Sequence, residues 1–361
     1  MKNILITGIG GGGSNNLYES LRLSKLNKAE YNFIGSNIDQ KTLAKSPLKE
    51  NIILPVATDP RYKPALMDLV KKFNIDLIIP NNDREVGVIS AMREDLDCKI
   101  FLPDNSTIMA CQDKHKMYQK LEGSDIPMAK SYAIESLEDI DEFIKKLPGD
   151  KFWVRPRKGS GSKGATWVKT AQQAKEWIQL WIDLRDFKVD DFTISEFLPG
   201  RDFCFQSVWK DGELVLAKLC ERLSYFGGEN RLSGMSSTPA VAKTVYDKKA
   251  LDTIFKCVTH LTDYPHGNFN FDLKGNINGE MCITECNVGR FCMITPIFDR
   301  TGNFSTAEYY VRSAFDDIEE NLIKDPIDIE ENCFLIRELD TLPTIVREKE
   351  LANKILFNYG E

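Results

Sequence analysis

The sequence predicts an α/β class with α+β units behind it, and three observations carry that prediction. Over the first hundred residues short buried-type strands alternate with helical periodicity, the pattern of a parallel sheet with helices on its faces. Further on, Asp211-Gly212 and Asn278-Gly279 each separate two strand-like runs, a strong hairpin signal. Between these regions lie Gly- and Ser-rich basic stretches that read as loops.

Ile4-Leu5-Ile6-Thr7 opens as a strand, then Gly8-Ile9-Gly10-Gly11-Gly12-Gly13, then a helix expected over 15–26. Phe33-Ile34-Gly35 is a second strand with Asp39 after it. The glycine run matches GxGxxG, which with an acid past the next strand suits a dinucleotide. A single match of this kind equally marks a tight βα turn that binds nothing. Leu66, Leu69, Val70 and Phe73 mark one helix face. Leu77-Ile78-Ile79-Pro80 is another strand, ending in Asn81-Asn82-Asp83-Arg84-Glu85. Asn82, Asp83 and Glu85 lie where α/β sheets place ligands, so Glu85 is a candidate substrate residue. They equally suit capping of the next helix. Phe101-Leu102-Pro103 closes this first unit, taken as 1–110.

Residues 111–195 read as a smaller α+β unit. Asp113-Lys114-His115-Lys116 opens a helix ending near Gly123, and Phe152 to Pro156 is a strand. The loop Arg157-Lys158-Gly159-Ser160-Gly161-Ser162-Lys163-Gly164 follows, then a strand from Ala165 to Val168. Small residues let backbone N–H groups approach phosphates, and the cations neutralise them. The same composition fits a basic hairpin loop with no ligand. Trp177, Ile178, Trp181 and Ile182 form a helix core face.

A third unit is taken as 196–325. Ile194 to Phe203 is a strand–turn–strand with Pro199-Gly200 at its corner. Phe203 to Trp209 and Leu214 to Leu219 flank Asp211-Gly212. The polar stretch from Glu221 to Ser237 is a loop by its Gly and Ser content. Its arginines, Arg222 and Arg231, argue for an anionic ligand. A helix is expected from Ser305 to Leu322, ended by Pro326, and 326–361 reads as a charged tail with one strand-like run, Cys333 to Arg337.

The second hairpin carries the densest chemistry. With Asn278-Gly279 as a two-residue turn, Ile277 faces Glu280, Asp272 faces Glu285, and Asn270 faces Asn287. These four polar groups then share one face, while Phe269, Phe271, Leu273, Thr284 and Cys286 take the other. Like charges facing across paired strands are destabilising, and a cation between them removes the conflict. Two carboxylates and an amide oxygen suit Mg²⁺ shared with nucleotide phosphates, or Mn²⁺. A solvated strand face with its carboxylates apart is the other reading.

Composition narrows the classes. A chain of 361 residues holds two or three domains with real cores. A net charge of −7 argues against nucleic acid or an anionic membrane as main partner. Nine cysteines are scattered without CxxC pairing or Cys/His metal spacing, which reads as reduced thiols in a cytoplasmic protein. The N-terminus runs into a strand with no signal peptide ahead, and no apolar run reaches membrane-spanning length.

Asp272 followed by Glu285-Cys286-Asn287 resembles the metal-binding signature of ATP-grasp ligases, an acid followed by Glu-x-Asn. The resemblance extends over about residues 1–315. It is similar in particular to the synthetase component of the carbamoyl phosphate synthase large subunit and to small carboxylate–amine ligases. What it implies is a Rossmann-like pre-ATP-grasp domain followed by a two-lobed ATP-grasp fold with ATP between the lobes. The metal site is then Asp272, Glu285 and Asn287, and Lys114 and Arg155 contact phosphate. Many members carry Lys where Arg155 stands; carbamoyl phosphate synthase-like members carry Arg. Lys158, Gly161 and Ser162 belong to the loop closing over the phosphates. Backbone groups of Glu196, Phe197 and Leu198 read the adenine edge, and Asp202 bonds the ribose. Arg222, Arg231 and Ser233 border the acceptor. Val288-Gly289-Arg290 departs from the common Asn-Pro-Arg ending, with the arginine one place later; Arg290 stabilises charge on the transferring phosphoryl group.

The implied activity is an ADP-forming, ATP-dependent ligase that activates a small-molecule carboxylate as an acyl phosphate and joins it to an amine. A carbamoyl phosphate synthase-like enzyme, or a phosphotransferase stopping at the acyl phosphate, uses the same residues. An NAD-dependent oxidoreductase rests on the glycine run alone, and a non-catalytic ATP sensor would have lost the metal ligands. No ammonia-generating domain is visible in the sequence, so glutamine use would need a partner, and homo-oligomer formation is left open.

Overall fold

The computed structural model describes residues 1–159, 161–318, 323–338 and 344–347. Sixteen strands fall into three sheets among these residues. The first is parallel, built from β1 Lys2–Thr7, β2 Tyr31–Asn37, β3 Glu50–Ile53, β4 Ile75–Ile79 and β5 Lys99–Ile100 in the order β3-β2-β1-β4-β5. Ile4, Leu5 and Ile6 are fully buried because helices cover both faces of a parallel sheet. This is the Rossmann-like arrangement expected of the first unit.

The second sheet is antiparallel, with β6 Ser131–Ala133, β7 Phe152–Pro156, β8 Thr166–Val168 and β9 Phe192–Glu196 in the order β6-β9-β7-β8. The helix Ala171–Arg185 packs on it through Trp177, Ile178, Trp181 and Ile182, the predicted core face. Trp177 also donates its indole N–H to the carbonyl of Gly164 at 2.9 Å, which anchors the far end of the Gly-rich loop.

The third sheet runs β14-β13-β10-β11-β12-β15-β16. Its strands are β10 Asp202–Lys210, β11 Glu213–Tyr225, β12 Pro239–Thr244, β13 Gly267–Gly275, β14 Met281–Val288, β15 Cys333–Ile336 and β16 Thr344–Arg347. Phe205, Phe269, Phe271 and Leu273 are fully buried beneath the helix Lys248–Leu261. The strand-like run in the C-terminal segment is β15, and it pairs with β12. An enclosed ion pair ties this segment to the sheet: Lys218 Nζ on β11 meets Asp328 at 2.5 Å and the carbonyl of Thr301 at 2.8 Å.

Several expectations are corrected. The first helix is Gly12–Leu23, starting inside the glycine run, because Gly11 already serves as its N-cap. The helix after Ser305 is Thr306–Ala314, well short of Leu322. Phe315 leaves helical geometry and Asp316 takes a left-handed φ of 58°. Residues 319–322 lie outside the described residues. Asn278-Gly279 does not form a two-residue turn. Asn276 N–H donates to the carbonyl of Glu280, and Gly279 N–H to that of Asn276, so the loop has three residues with Gly279 at φ 77°. Near the turn Gly275 faces Met281 and Leu273 faces Ile283. A bulge at Thr284 then restores Asp272 opposite Glu285 and Asn270 opposite Asn287. Ile283, not Thr284, therefore joins the apolar face.

Candidate active site

A cleft of about 1150 Å³ lies between the second and third sheets, with the first sheet's β4 end at one side. Its floor is the polar face of β13 and β14. Asp272 and Glu285 stand opposite each other there, and each meets a cation of the chain. Arg222 from β11 bonds Asp272, and Lys114 Nζ lies 3.2 Å from Glu285. The facing carboxylates are thus already offset without a metal. Burial alone would push Glu285 up; Lys114, then Arg155 and Arg290, outweigh it and hold its carboxyl below the usual range. Among the described residues no group of three or more His, Cys, Asp or Glu gathers as a metal cage.

The other oxygens on this face are amides. Arg290 bonds Asn287 Oδ1, while Asn270 gives its N–H to the carbonyl of Arg290. Asn270 Oδ1 is buried with no partner among the described residues, an acceptor turned to the same face as Asp272. Arg155 Nη2 donates to the carbonyl of Thr284 at 2.9 Å, the residue the bulge turns out of the ladder. Burial works against the charge of Arg155 and lowers its pKa, with Glu285 and Asp272 opposing. For Arg290 burial is outweighed by Asp83 and Glu285, which hold its pKa above the ordinary value.

The Gly-rich loop forms one wall. Lys158, Gly161 and Ser162 line the cleft. Lys114, first residue of the helix Lys114–Leu121 capped by Asp113, reaches across to the carbonyl of Gly159 at 3.0 Å. Arg231 Nη1 donates to the carbonyl of Gly161 at 3.3 Å from the facing loop. Glu196, Phe197 and Leu198 line the cleft where β9 passes into β10. The Glu196 carboxylate is taken by the N–H of Lys130 at 2.8 Å. Asp202, 9% exposed, is bonded by Tyr225 and flanked by Arg222 at 3.4 Å and Lys274 at 3.6 Å.

Three candidates are not brought to the cleft lining: Glu85, Arg231 and Ser233, of which Arg231 is exposed and reaches only the Gly161 carbonyl. Glu85 is buried at 6% exposure, held by Tyr62 at 3.0 Å and by Asn82, which N-caps the helix Asp83–Ala91. The capping alternative describes it, and its neighbours Asn82, Asp83 and Arg84 line the cleft instead. Ser233 closes a local turn with Met235 and is absent from the lining. In the glycine run, a Cβ on Gly10 would sit 2.0 Å from the carbonyl oxygen of Thr42, and Asp39 caps the short helix Gln40–Leu43. Both features of the dinucleotide pattern are engaged by the protein's own chain.

Sequence reasoning passed over Lys274, Tyr225 and the carbonyl of Thr284. Lys274 follows Asn270 and Asp272 at period two, so its place on their face was readable. Tyr225 was not, because irregular pairing after Arg222 carries it back to Asp202.

All nine cysteines are free, and among the described residues no helix is long and apolar enough to cross a membrane. No family model and no curated protein sequence matches the chain. Solved structures do. L-amino acid ligase from Bacillus licheniformis superposes with a TM-score of 0.68 at 12% identity, over 92% of this chain and 78% of that one. N5-carboxyaminoimidazole synthetase from Staphylococcus aureus, in complex with ADP, gives 0.70 at 14% identity over 94% and 82%. Biotin carboxylase from Campylobacter jejuni gives 0.69 at 14% over 92% and 74%. A parallel Rossmann-like sheet followed by mixed antiparallel sheets, matched over most of its length by these enzymes, gives the chain the ATP-grasp fold.

Proposed function

We propose that this protein is an ATP-dependent ligase that activates a small-molecule carboxylate as an acyl phosphate and joins it to an amine. One observation carries the reading. Two facing carboxylates and two amide oxygens meet Lys114, Arg155 and Arg290 on the floor of one cleft. The donor set fits magnesium, which takes one or two carboxylates and completes its shell with phosphate and water. The unpartnered Oδ1 of Asn270 adds a free acceptor on that face. Asp272, Glu285 and Asn287 would hold the ion, with Arg222 and Lys114 giving up part of their contact. When bound, it neutralises charge on the β- and γ-phosphates.

The chain's own groups do the rest. Lys114, Arg155 and the loop around Lys158, Gly161 and Ser162 steady the polyphosphate, in units we take as 1–110, 111–195 and 196–325. Backbone groups at Glu196 to Leu198 face the base, and Asp202 receives ribose hydroxyls. Arg290 offsets charge at the γ-phosphoryl group while the substrate carboxylate attacks in line, so positioning supplies most of the acceleration. The amine then displaces phosphate, with Arg222 and Arg231 nearest the acceptor. We take the enzyme to be cytoplasmic, with small-molecule partners.

Arg155, where many ATP-grasp members carry lysine, favours a second reading in which bicarbonate is the activated carboxylate and ammonia the amine. Thermal melts with Mg²⁺-ATP, Mg²⁺-ADP and NAD⁺ test the nucleotide. A screen of amino acids, small acids and bicarbonate for ADP and phosphate release then finds the substrates. Absence of any shift with Mg²⁺-ATP would end both readings.

A further inference from the structure

We infer that Asp83 is the positioning residue for Arg290, so that a carboxylate of the parallel sheet sets the aim of the guanidinium meeting the phosphoryl group. The inference rests on the ligase reading. Arg290 follows β14 on a segment that three residues of the first unit grip. Asn81 Oδ1 accepts from Phe291 N–H at 2.6 Å, Asn16 Nδ2 donates to the carbonyl of Met293 at 3.0 Å, and Asp83 pairs with Arg290 Nε. Asp83 is itself held. It opens the helix Asp83–Ala91 behind the Asn82 cap, and its carbonyl accepts from Gln112 Nε2 at 2.5 Å.

A guanidinium is a planar fork, and two bonds at different nitrogens define its plane. Here Nε is taken by Asp83 and Nη2 by Asn287 Oδ1, one on each side of the cleft floor. Nη1 has no partner among the described residues and is the donor left for an anion in the cleft. Removing Asp83 leaves the Asn287 bond as a single pivot. Misplacing a reacting group by about 1 Å costs on the order of a hundredfold in rate, so the pivot matters to chemistry more than to folding. A simple helix-end role for Asp83, an acid favoured by the dipole, predicts a stability effect alone.

The test compares binding of Mg²⁺-ADP with binding of Mg²⁺-ADP plus aluminium fluoride, a mimic of the transferring phosphoryl group. Wild type, Asp83→Asn, Asp83→Glu, Arg290→Ala and the double variant Asp83→Asn/Arg290→Ala are measured by calorimetry, with melting curves to verify folding. Expected for Asp83→Asn is Mg²⁺-ADP affinity within about twofold and a loss of about tenfold or more for the mimic, with partial recovery in Asp83→Glu. In the Arg290→Ala background the Asp83 change should add nothing, because it acts through that side chain. Equal weakening of both ligands, additive losses in the double variant, or a wild type that gains nothing from the fluoride would each overturn the inference. A wild type that binds no Mg²⁺-nucleotide sinks the ligase reading itself. One that binds both ligands, with Asp83→Asn indistinguishable from it, sinks only the role of Asp83. If Asp83→Asn does not fold, Asp83→Glu carries the same comparison.

Discussion

Two hairpins of the third sheet, β10–β11 and β13–β14, carry the same kind of turn signal and reach their registers by different routes. In β10–β11, Lys210 faces Glu213 across a true two-residue loop, with Asp211 at φ 52° and Gly212 at φ 89°. Counting on from that turn would set Asp202 against Glu221. The pairing slips by one after Trp209, leaving Val215 as the extra residue, and Asp202 faces Arg222 instead. In β13–β14 the loop is longer than Asn278-Gly279 suggests, and the bulge at Thr284 cancels the difference. An Xaa-Gly dipeptide thus marks where a chain reverses, and bulges decide what meets what ten residues away. The bulges also differ in what they touch. Thr284 presents its carbonyl to Arg155, whereas Val215 packs against the apolar core.

The largest effect is expected from removing a carboxylate that the second bulge aligns. Asp272→Asn or Glu285→Gln should lower turnover by about a hundredfold or more, since charge neutralisation at the phosphoryl group is lost. Each also takes a carboxylate from a cation of the chain, leaving Arg222 with Asp202 at 3.4 Å or Lys114 with the carbonyl of Gly159 at 3.0 Å. Stability without metal should therefore fall by about 1.5–3 kcal/mol rather than rise. ADP release and melting temperature, with and without Mg²⁺, decide it; near-normal turnover would end the metal assignment.

Deleting Thr284 removes the second bulge itself. The pairs on either side of a bulge survive loss of its extra residue, so Asp272 should still face Glu285 while Arg155 loses its carbonyl. Turnover is expected to drop about tenfold or more, with Mg²⁺-ATP affinity retained. Deleting Val215 should leave turnover intact and cost about 1–2 kcal/mol of stability. Equal kinetic effects from both deletions would show that the bulges are interchangeable geometry.

Asp202 probes the register of the first hairpin. Asp202→Ala should raise KM for ATP with kcat nearly unchanged, a loss of about 1.5–3 kcal/mol for one charge-assisted hydrogen bond. Because Arg222 and Lys274 flank it, the melting temperature should fall too. A collapse of kcat at constant KM would show that Asp202 serves the chemistry. The smallest effect is expected at the glycine run. NAD⁺ and NADP⁺ should give no binding heat at micromolar concentrations, and a clear isotherm would reopen the dinucleotide reading.

These contrasts also show what was legible in the sequence. Buried apolar runs such as Ile4 to Ile6 and Leu77 to Ile79 announced the parallel sheet, because burial on both faces leaves no polar option. The facing of Asp272 and Glu285 was reached through two misplacements that cancel, a short turn and a missing bulge. The cations that take these carboxylates were not assigned to them, because Arg222 and Lys114 arrive from other elements, and sequence distance hides such meetings. Glu85 was drawn to the substrate by its place after a strand; the Asn82 cap and Tyr62, more than twenty residues upstream, decided otherwise. The helix after Ser305 was overdrawn because apolar periodicity continues past Ala314, where Asp316 turns the backbone left-handed.

The enclosed pair of Lys218 and Asp328 bears on proteolytic trimming. A chain cut ahead of Asp328 would keep every cleft residue named above. It would also strand an ammonium of 2% side-chain exposure with only the Thr301 carbonyl for company. Breaking such a pair costs about 3–5 kcal/mol, a large part of what holds a domain together. Lys218 lies on the same face of β11 as Arg222, four residues away. Loss of the segment that carries Asp328 should therefore be felt at the cleft, through the strand whose Arg222 holds Asp272.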